Sequence, residues 1–259
     1  MASETWQESR HVPMKRLFAS IAFLTRIPVP GAANFDAADV GRSTLCFPLV
    51  GALLAAVLVG ARHLLYPLLP ATVTAYVLLG LYALLTGALH LDGLADMADG
   101  FGGGRTKEDV LRIMRDHVIG AYAGVTLVVM VGLKASALAA LLERGHADTV
   151  LVVALVLGRW GSVPQGWLLP YARRTGGLGM AITDHVGRVE VLGATVLALG
   201  FAVGLMGWRG GVLLAAVGGV SALQGWWCRR KIDGITGDTM GANTEICEAV
   251  VFVLALALG

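Results

Sequence analysis

Three aspartates stand four and then three residues apart in the run His90-Leu91-Asp92-Gly93-Leu94-Ala95-Asp96-Met97-Ala98-Asp99-Gly100. At about 100° per residue, Asp92, Asp96 and Asp99 project within a sector of roughly 60° on one helix face. Their flanks are Gly, Ala, Leu and Met rather than the mixed charges of a solvated helix. Three carboxylates on such a face repel one another and resist desolvation. A hard divalent cation relieves both problems, and Mg²⁺ takes a few carboxylates and completes its octahedron with water and phosphate oxygens. The run therefore predicts Asp92, Asp96 and Asp99 as Mg²⁺ ligands; a solvated acidic face is the plain alternative.

A second acidic cluster lies near the C-terminus, with Asp238 bracketed by Gly237 and Gly241, and Glu245 and Glu248 sharing one helix face. A helix dipole accounts for Glu245 alone, but Glu248 falls within an apolar stretch, where an acidic residue usually has a functional partner. Behind the first cluster comes Gly100-Phe101-Gly102-Gly103-Gly104-Arg105, a glycine run that could bring backbone N–H groups, as at Gly102 and Gly103, close to phosphate, or serve as a flexible turn. No Gly-Lys-Ser/Thr follows, so it is not a Walker motif. Thr106 then reads as the N-cap of a short amphipathic helix over 106–117. Candidate phosphate-binding side chains are Arg105, Arg173, Arg174 and Arg159, the last deep in an apolar stretch where it binds phosphate or pairs with a buried carboxylate. Lys134 is likewise within an apolar stretch, where snorkelling is an equal reading.

The elements that must carry these groups are membrane helices. Of the 259 residues, 56% are hydrophobic and only 15% charged, against about 25% in a soluble domain. That composition excludes disorder, and a net charge of +2 gives no nucleic-acid footprint. Cys46, Cys228 and Cys247 have neither disulfide-framework nor zinc spacing and read as packing residues. Seven apolar spans can be drawn, at 44–61, 71–89, 121–142, 149–170, 190–207, 211–228 and 245–258, the last two short or close enough that six is the alternative. Residues 14–27 form an amphipathic stretch, lying in the membrane interface or packed on the bundle. With the N-terminus on side A, fifteen Lys and Arg fall on that side and three on side B, which predicts a cytoplasmic side A. Of eighteen acidic residues only Glu143 and Asp148 fall on side B, an asymmetry that a polar active site on side A explains. The chain is thus read as all-α, a single membrane-embedded catalytic domain over 1–259.

Two acidic clusters, a glycine run and several arginines on one face imply a Mg²⁺-dependent transferase that cleaves a diphosphate, because such chemistry needs positioning and charge neutralisation above all.

The sequence also resembles the cobalamin synthase (adenosylcobinamide-GDP ribazoletransferase) family. The resemblance rests on Thr25-Arg26-Ile27-Pro28-Val29-Pro30, Phe47-Pro48-Leu49-Val50-Gly51, the aspartate run with its glycines, Ile113-Met114-Arg115-Asp116, and Gly234-Ile235-Thr236-Gly237-Asp238-Thr239-Met240-Gly241-Ala242 followed by Glu245. It covers the chain from about residue 15 to the end. One departure is Asp233-Gly234, where the family pattern leads us to expect Gly-Gly. The resemblance implies that adenosylcobinamide-GDP and α-ribazole, or its 5′-phosphate, are joined to give adenosylcobalamin, or its 5′-phosphate, and GMP. It implies catalytic roles for Asp96, Asp99, Asp238 and Glu245, with Asp238 or Glu245 completing the metal site or acting as general base. Arg159, Arg173 and Arg174 would neutralise phosphate, and Asp116 would bind metal or Arg115. The expected setting is a bacterial inner membrane, with self-association left open. CDP-alcohol phosphotransferases share the chemistry, but their Asp-Gly-x-x-Ala-Arg lacks its Arg here, where Asp92-Gly93 is followed by Leu94-Ala95-Asp96. Membrane prenyltransferases would release inorganic diphosphate, and a transporter would keep its acidic site near the midplane.

Overall fold

The computed structural model describes residues 14–173 and 177–258. Among these the regular structure is helical: α1 (14–24), α2 (Ala37–Ser43), α3 (Phe47–Leu65), α4 (Ala71–Thr86), α5 (Leu89–Gly103), α6 (Lys107–Ile113), α7 (Ala121–Glu143), α8 (Ala147–Leu168), α9 (Leu178–His185), α10 (Arg188–Met206), α11 (Trp208–Ile232) and α12 (Gly237–Leu258). Six helical stretches are long and apolar enough to cross a membrane: α2 with α3, α7, α8, α10, α11 and α12. The pair α4 and α5 makes a seventh only if counted together, and the two are bent by 92°. The chain is a multi-pass membrane bundle, and side chains such as Val125, Val128, Leu192 and Val196 stay exposed on its flanks as a bilayer-facing surface.

Helix α8 is the central post, buried almost continuously from Ala147 to Gly166. Helices α3, α10, α11 and α12 pack around it. Small residues set these approaches: a Cβ at Gly51 would run into the α8 backbone at Leu155, and one at Gly158 would meet the Glu248 side chain at 2.7 Å.

Two departures from the sequence reading shape the site. The span expected at 71–89 stops at Thr86, because Gly87 and Ala88 both adopt left-handed backbone, φ +62° and +56°. Leaving α4 at 92°, α5 runs across the end of the crossing instead of continuing it. The span expected at 245–258 begins eight residues earlier, at Gly237, so the second acidic cluster lies on a helix rather than in a loop. Thr236 and Thr239 cap its start reciprocally, each side-chain oxygen accepting the other's backbone N–H at 3.2 and 2.9 Å. Segment 171–189, expected as a loop, contains α9. The short helix expected over 106–117 ends at Ile113, with Thr106 capping it as expected by accepting the Asp109 N–H at 3.2 Å.

Helix α1 packs on the bundle, with Ala19, Ser20 and Leu24 buried and Phe18 exposed. The three cysteines are free and buried.

Candidate functional site

Helix α5 lies against α12, and Gly93 sets the spacing. A Cβ there would come within 2.6 Å of the Asp238 carbonyl oxygen and 2.9 Å of its Cα. The bare glycine face thus lets the α5 carboxylates approach Asp238 at the start of α12. Arg173 reaches the same point by a different route. Backbone bonds from Ala172 N to Ile235 O (2.8 Å) and from Ile235 N to Pro170 O (2.9 Å) tie the strand-like segment after α8 to the α11–α12 connection. That tie needs Gly234, because a Cβ there would strike the Pro170 carbonyl. Asp233 beside it holds φ +61°, a left-handed turn that Asp tolerates where glycine is the usual choice, so the departure from Gly-Gly preserves the backbone path. Arg173 Nη2 then donates to Asp238 Oδ2 at 2.6 Å.

These groups ring a cavity of about 280 Å³. Asp92, Asp238, Arg173 and Tyr171 line it together with His90, Ser162 and Thr244. The charged members keep solvent contact while His90, Ser162 and Thr244 are buried, so the charges mark the mouth and the others the depth. Outside the membrane crossings, burial and the neighbouring carboxylates of Asp238 and Asp92 push the Asp96 carboxyl up to about 7, against the opposing pull of Arg173 and His117. Burial likewise raises the Tyr171 hydroxyl, opposed by Arg173. Arg173 Nε is buried without a partner among the described residues, a donor left over for an anion.

The donor set fits Mg²⁺. Asp92 and Asp96 offer hard oxygens beside Asp238, the charges of Asp238 and Asp92 together raising the proton affinity of Asp96, and Mg²⁺ characteristically takes one or two carboxylates plus substrate phosphates rather than a protein cage. The described residues contain no group of three or more His, Cys, Asp or Glu placed to hold a metal ion, so the three-aspartate ligand set expected from the sequence is not assembled among them.

The other residues singled out in the sequence are dispersed. Asp99, expected beside Asp92 and Asp96, turns to the start of α7, where its Oδ2 and Oδ1 accept the Gly120 and Ala123 N–H groups at 2.6 and 2.9 Å. It caps a helix to which it does not belong. Gly102 and Gly103 do not form a phosphate-cradling turn: they end α5, with their N–H groups inside the helix. A Cβ at Gly102 would meet the Tyr122 ring at 2.6 Å, so the glycine serves packing. Arg105 is exposed, and Asp116 accepts the Val118 N–H within its own exposed turn. Arg174 lies outside the described residues.

Glu245 and Arg159 stand apart from the other candidates, and Arg159 takes the second of its two expected readings, pairing with a buried carboxylate. Neither lines the cavity; both belong to a buried charge network of α4, α7, α8 and α12. Lys134 Nζ donates to Glu245 Oε2 at 2.8 Å and Glu248 Oε2 at 2.6 Å. Arg159 Nη1 donates to Glu248 Oε1 and the Tyr82 hydroxyl, which in turn donates to Glu248. All four ionic groups are at most 3% exposed. At about 1.5 Å per residue, Glu245 and Glu248 sit roughly 12 and 16 Å down α12 from Gly237. Two cations and two anions there cancel, and Lys134 has no need to snorkel. No local pattern links these four helices, so sequence reasoning missed Tyr82 as their shared partner. His90 it passed over too, although the residue stands two positions before Asp92.

A family model described as cobalamin-5-phosphate synthase matches residues 16–257. Curated relatives named adenosylcobinamide-GDP ribazoletransferase align over most of the chain. One from Pseudomonas putida (strain W619) is 42% identical, covering 95% of this chain and 99% of the relative. One from Pseudomonas aeruginosa (strain UCBPP-PA14) is 43% identical, over 95% and 98%. A more distant source, Chlorobaculum tepidum, gives 37% identity over 92% and 94%. No solved structure matches the chain.

Proposed function

The chain belongs to the cobalamin-5-phosphate synthase family, and from that premise we propose that it joins adenosylcobinamide-GDP to α-ribazole or its 5′-phosphate. It is a membrane transferase of cobalamin biosynthesis, acting at the last step of nucleotide-loop assembly. In the reaction, the ribazole 3′-hydroxyl oxygen forms a bond to the phosphorus carrying cobinamide. The anhydride P–O bond breaks, GMP leaves with the electron pair, and the hydroxyl proton passes to a protein carboxylate.

One observation carries this reading: the glycine-spaced contact of α5 with α12, which brings Asp92 to Asp238 and Arg173 at the mouth of a cavity, with Asp96 within reach of their charges. Arg173 would bind and orient the diphosphate through its unpartnered Nε. Asp238 bonds Arg173 through Oδ2, leaving Oδ1 to take the acceptor hydroxyl proton. Asp92 and Asp96 would hold Mg²⁺, which when bound offsets diphosphate charge. Side A would face the cytoplasm of a bacterial inner membrane, on the Lys and Arg excess of the sequence.

The test is GMP release from adenosylcobinamide-GDP and α-ribazole 5′-phosphate by purified protein in liposomes, with and without Mg²⁺. Metal-dependent GMP with a matching cobalamin product is expected, and Asp96→Asn should abolish it while the protein remains folded. Near-normal turnover by that variant would sink the metal role. Release of CMP or inorganic diphosphate from the corresponding substrates, with no GMP, would move the chain's chemistry to another diphosphate class.

A further inference from the structure

We propose that the buried depth of the cavity is the pocket for the base of the acceptor nucleoside, a flat benzimidazole, and that the corrinoid never enters it. This rests on the ribazoletransferase reading and adds which substrate occupies which part of the site.

The lining is sorted by polarity. Leu24, Phe47, Ile182 and Met240 are at most 5% exposed and wall the depth, with Phe23 and Leu89 half-buried nearer the rim. The charged Asp92, Asp238 and Arg173 keep their solvent contact at the mouth. The Phe23 and Phe47 rings are close to parallel, 13° apart with centroids 6.0 Å from each other, and present aromatic surface to a flat guest.

Size excludes the corrinoid. At about 280 Å³ the cavity is at the small end of the ~300–1,000 Å³ range of ligand pockets. It holds a group on the scale of a nucleoside base; a corrin macrocycle with its side chains does not fit.

Hydrogen-bonding capacity separates the two remaining guests. Guanine carries donors and acceptors on both its edges, and each would be stranded among leucine, isoleucine, methionine and phenylalanine. A benzimidazole attached to ribose has a single ring nitrogen left to accept a bond, and its remainder is apolar. His90 lines the depth of the pocket, and its ring carries one matching group, Nδ1, buried and without a hydrogen-bond partner among the described residues. The hydroxyl protons of Ser162 and Thr244 are already given to the Arg159 and Met240 carbonyls. With the base held in the depth, its ribose hydroxyls face the mouth, where the diphosphate of the other substrate meets Arg173 and Asp238. The guanosine and corrinoid halves of that substrate then remain outside.

Steady-state kinetics with each substrate varied in turn tests this, on wild type, Phe23→Ala and Ser162→Val in liposomes. Loss of the Phe23 ring should raise KM for α-ribazole 5′-phosphate about tenfold, as expected for lost burial of an aromatic guest, and leave KM for adenosylcobinamide-GDP within about twofold. Ser162→Val narrows the floor and should favour the unmethylated benzimidazole nucleotide over the dimethyl one relative to wild type; if Phe23→Ala does not fold, this base-size series decides alone. A raised KM for adenosylcobinamide-GDP with an unchanged ribazole KM overturns the assignment, as does a folded pair of variants in which neither KM nor the base preference moves. Wild-type protein that releases no GMP at all would instead strike the underlying ribazoletransferase reading.

Discussion

Removing the Lys134 ammonium, by Lys134→Met, is the sharpest perturbation of the buried charge network. In the wild type two cations and two anions cancel among groups no more than 3% exposed. The substitution leaves Arg159 facing both Glu245 and Glu248, a net charge of −1 in the bundle interior. Breaking a buried ion pair by deleting one partner costs about 3–5 kcal/mol, chiefly because the remaining charge is desolvated and uncompensated. At roughly 2–4 °C per kcal/mol for a chain of this order, the melting temperature in detergent should fall by about 10 °C. Adding Glu245→Gln restores neutrality and should recover most of the loss, although it removes a second charge. The sign of the pH effect follows: protonating one glutamate also restores neutrality, so the deficit of Lys134→Met should shrink as pH falls and grow as it rises. Thermal unfolding of the two single variants and the double variant, at two pH values, reads all of this. If Lys134→Met melts within about 2 °C of wild type, or if Glu245→Gln deepens the loss by its own full effect, the charge-balance reasoning is refuted.

Three further outcomes follow from particular contacts. Gly93→Ala should abolish GMP release and lower the melting temperature, because its methyl meets the Asp238 backbone at 2.6 Å and α5 must move away from α12; normal turnover would show that this spacing is not needed. Asp99→Ala should cost about 0.5–2 kcal/mol of stability through the lost cap of α7, with Asp99→Ser recovering part of it, whereas equal damage from both would point to a role beyond capping. Gly102→Leu should destabilise through the Tyr122 ring without changing KM for adenosylcobinamide-GDP in the surviving folded fraction; a raised KM would return the glycine run to phosphate binding.

The sequence alone determined the class of the molecule and most of its chemistry. Blocks of apolar residues of bilayer length require helices, since only helices satisfy the backbone within such a segment when few strands alternate. The aspartate run and the Thr-Gly-Asp motif are local patterns, and they mark Asp92, Asp96 and Asp238 as carboxylates that need partners. What the sequence left open was which of them meet. Helical spacing grouped Asp99 with Asp92 and Asp96, but the N–H groups of Gly120 and Ala123, more than twenty residues on, claim it. Arg159 could be read either as a phosphate ligand or as the partner of a buried carboxylate, and Glu245 as a site residue, because a lone charge in an apolar span does not say which group it meets. Their partners, Lys134, Glu248 and Tyr82, come from other helices, and only packing around α8 brings them within bonding distance. The bend at Gly87 and Ala88 was decided in the same way. One residue of the pair is an alanine in left-handed backbone, a conformation that its own propensity opposes and that the contacts of α5 with α12 impose.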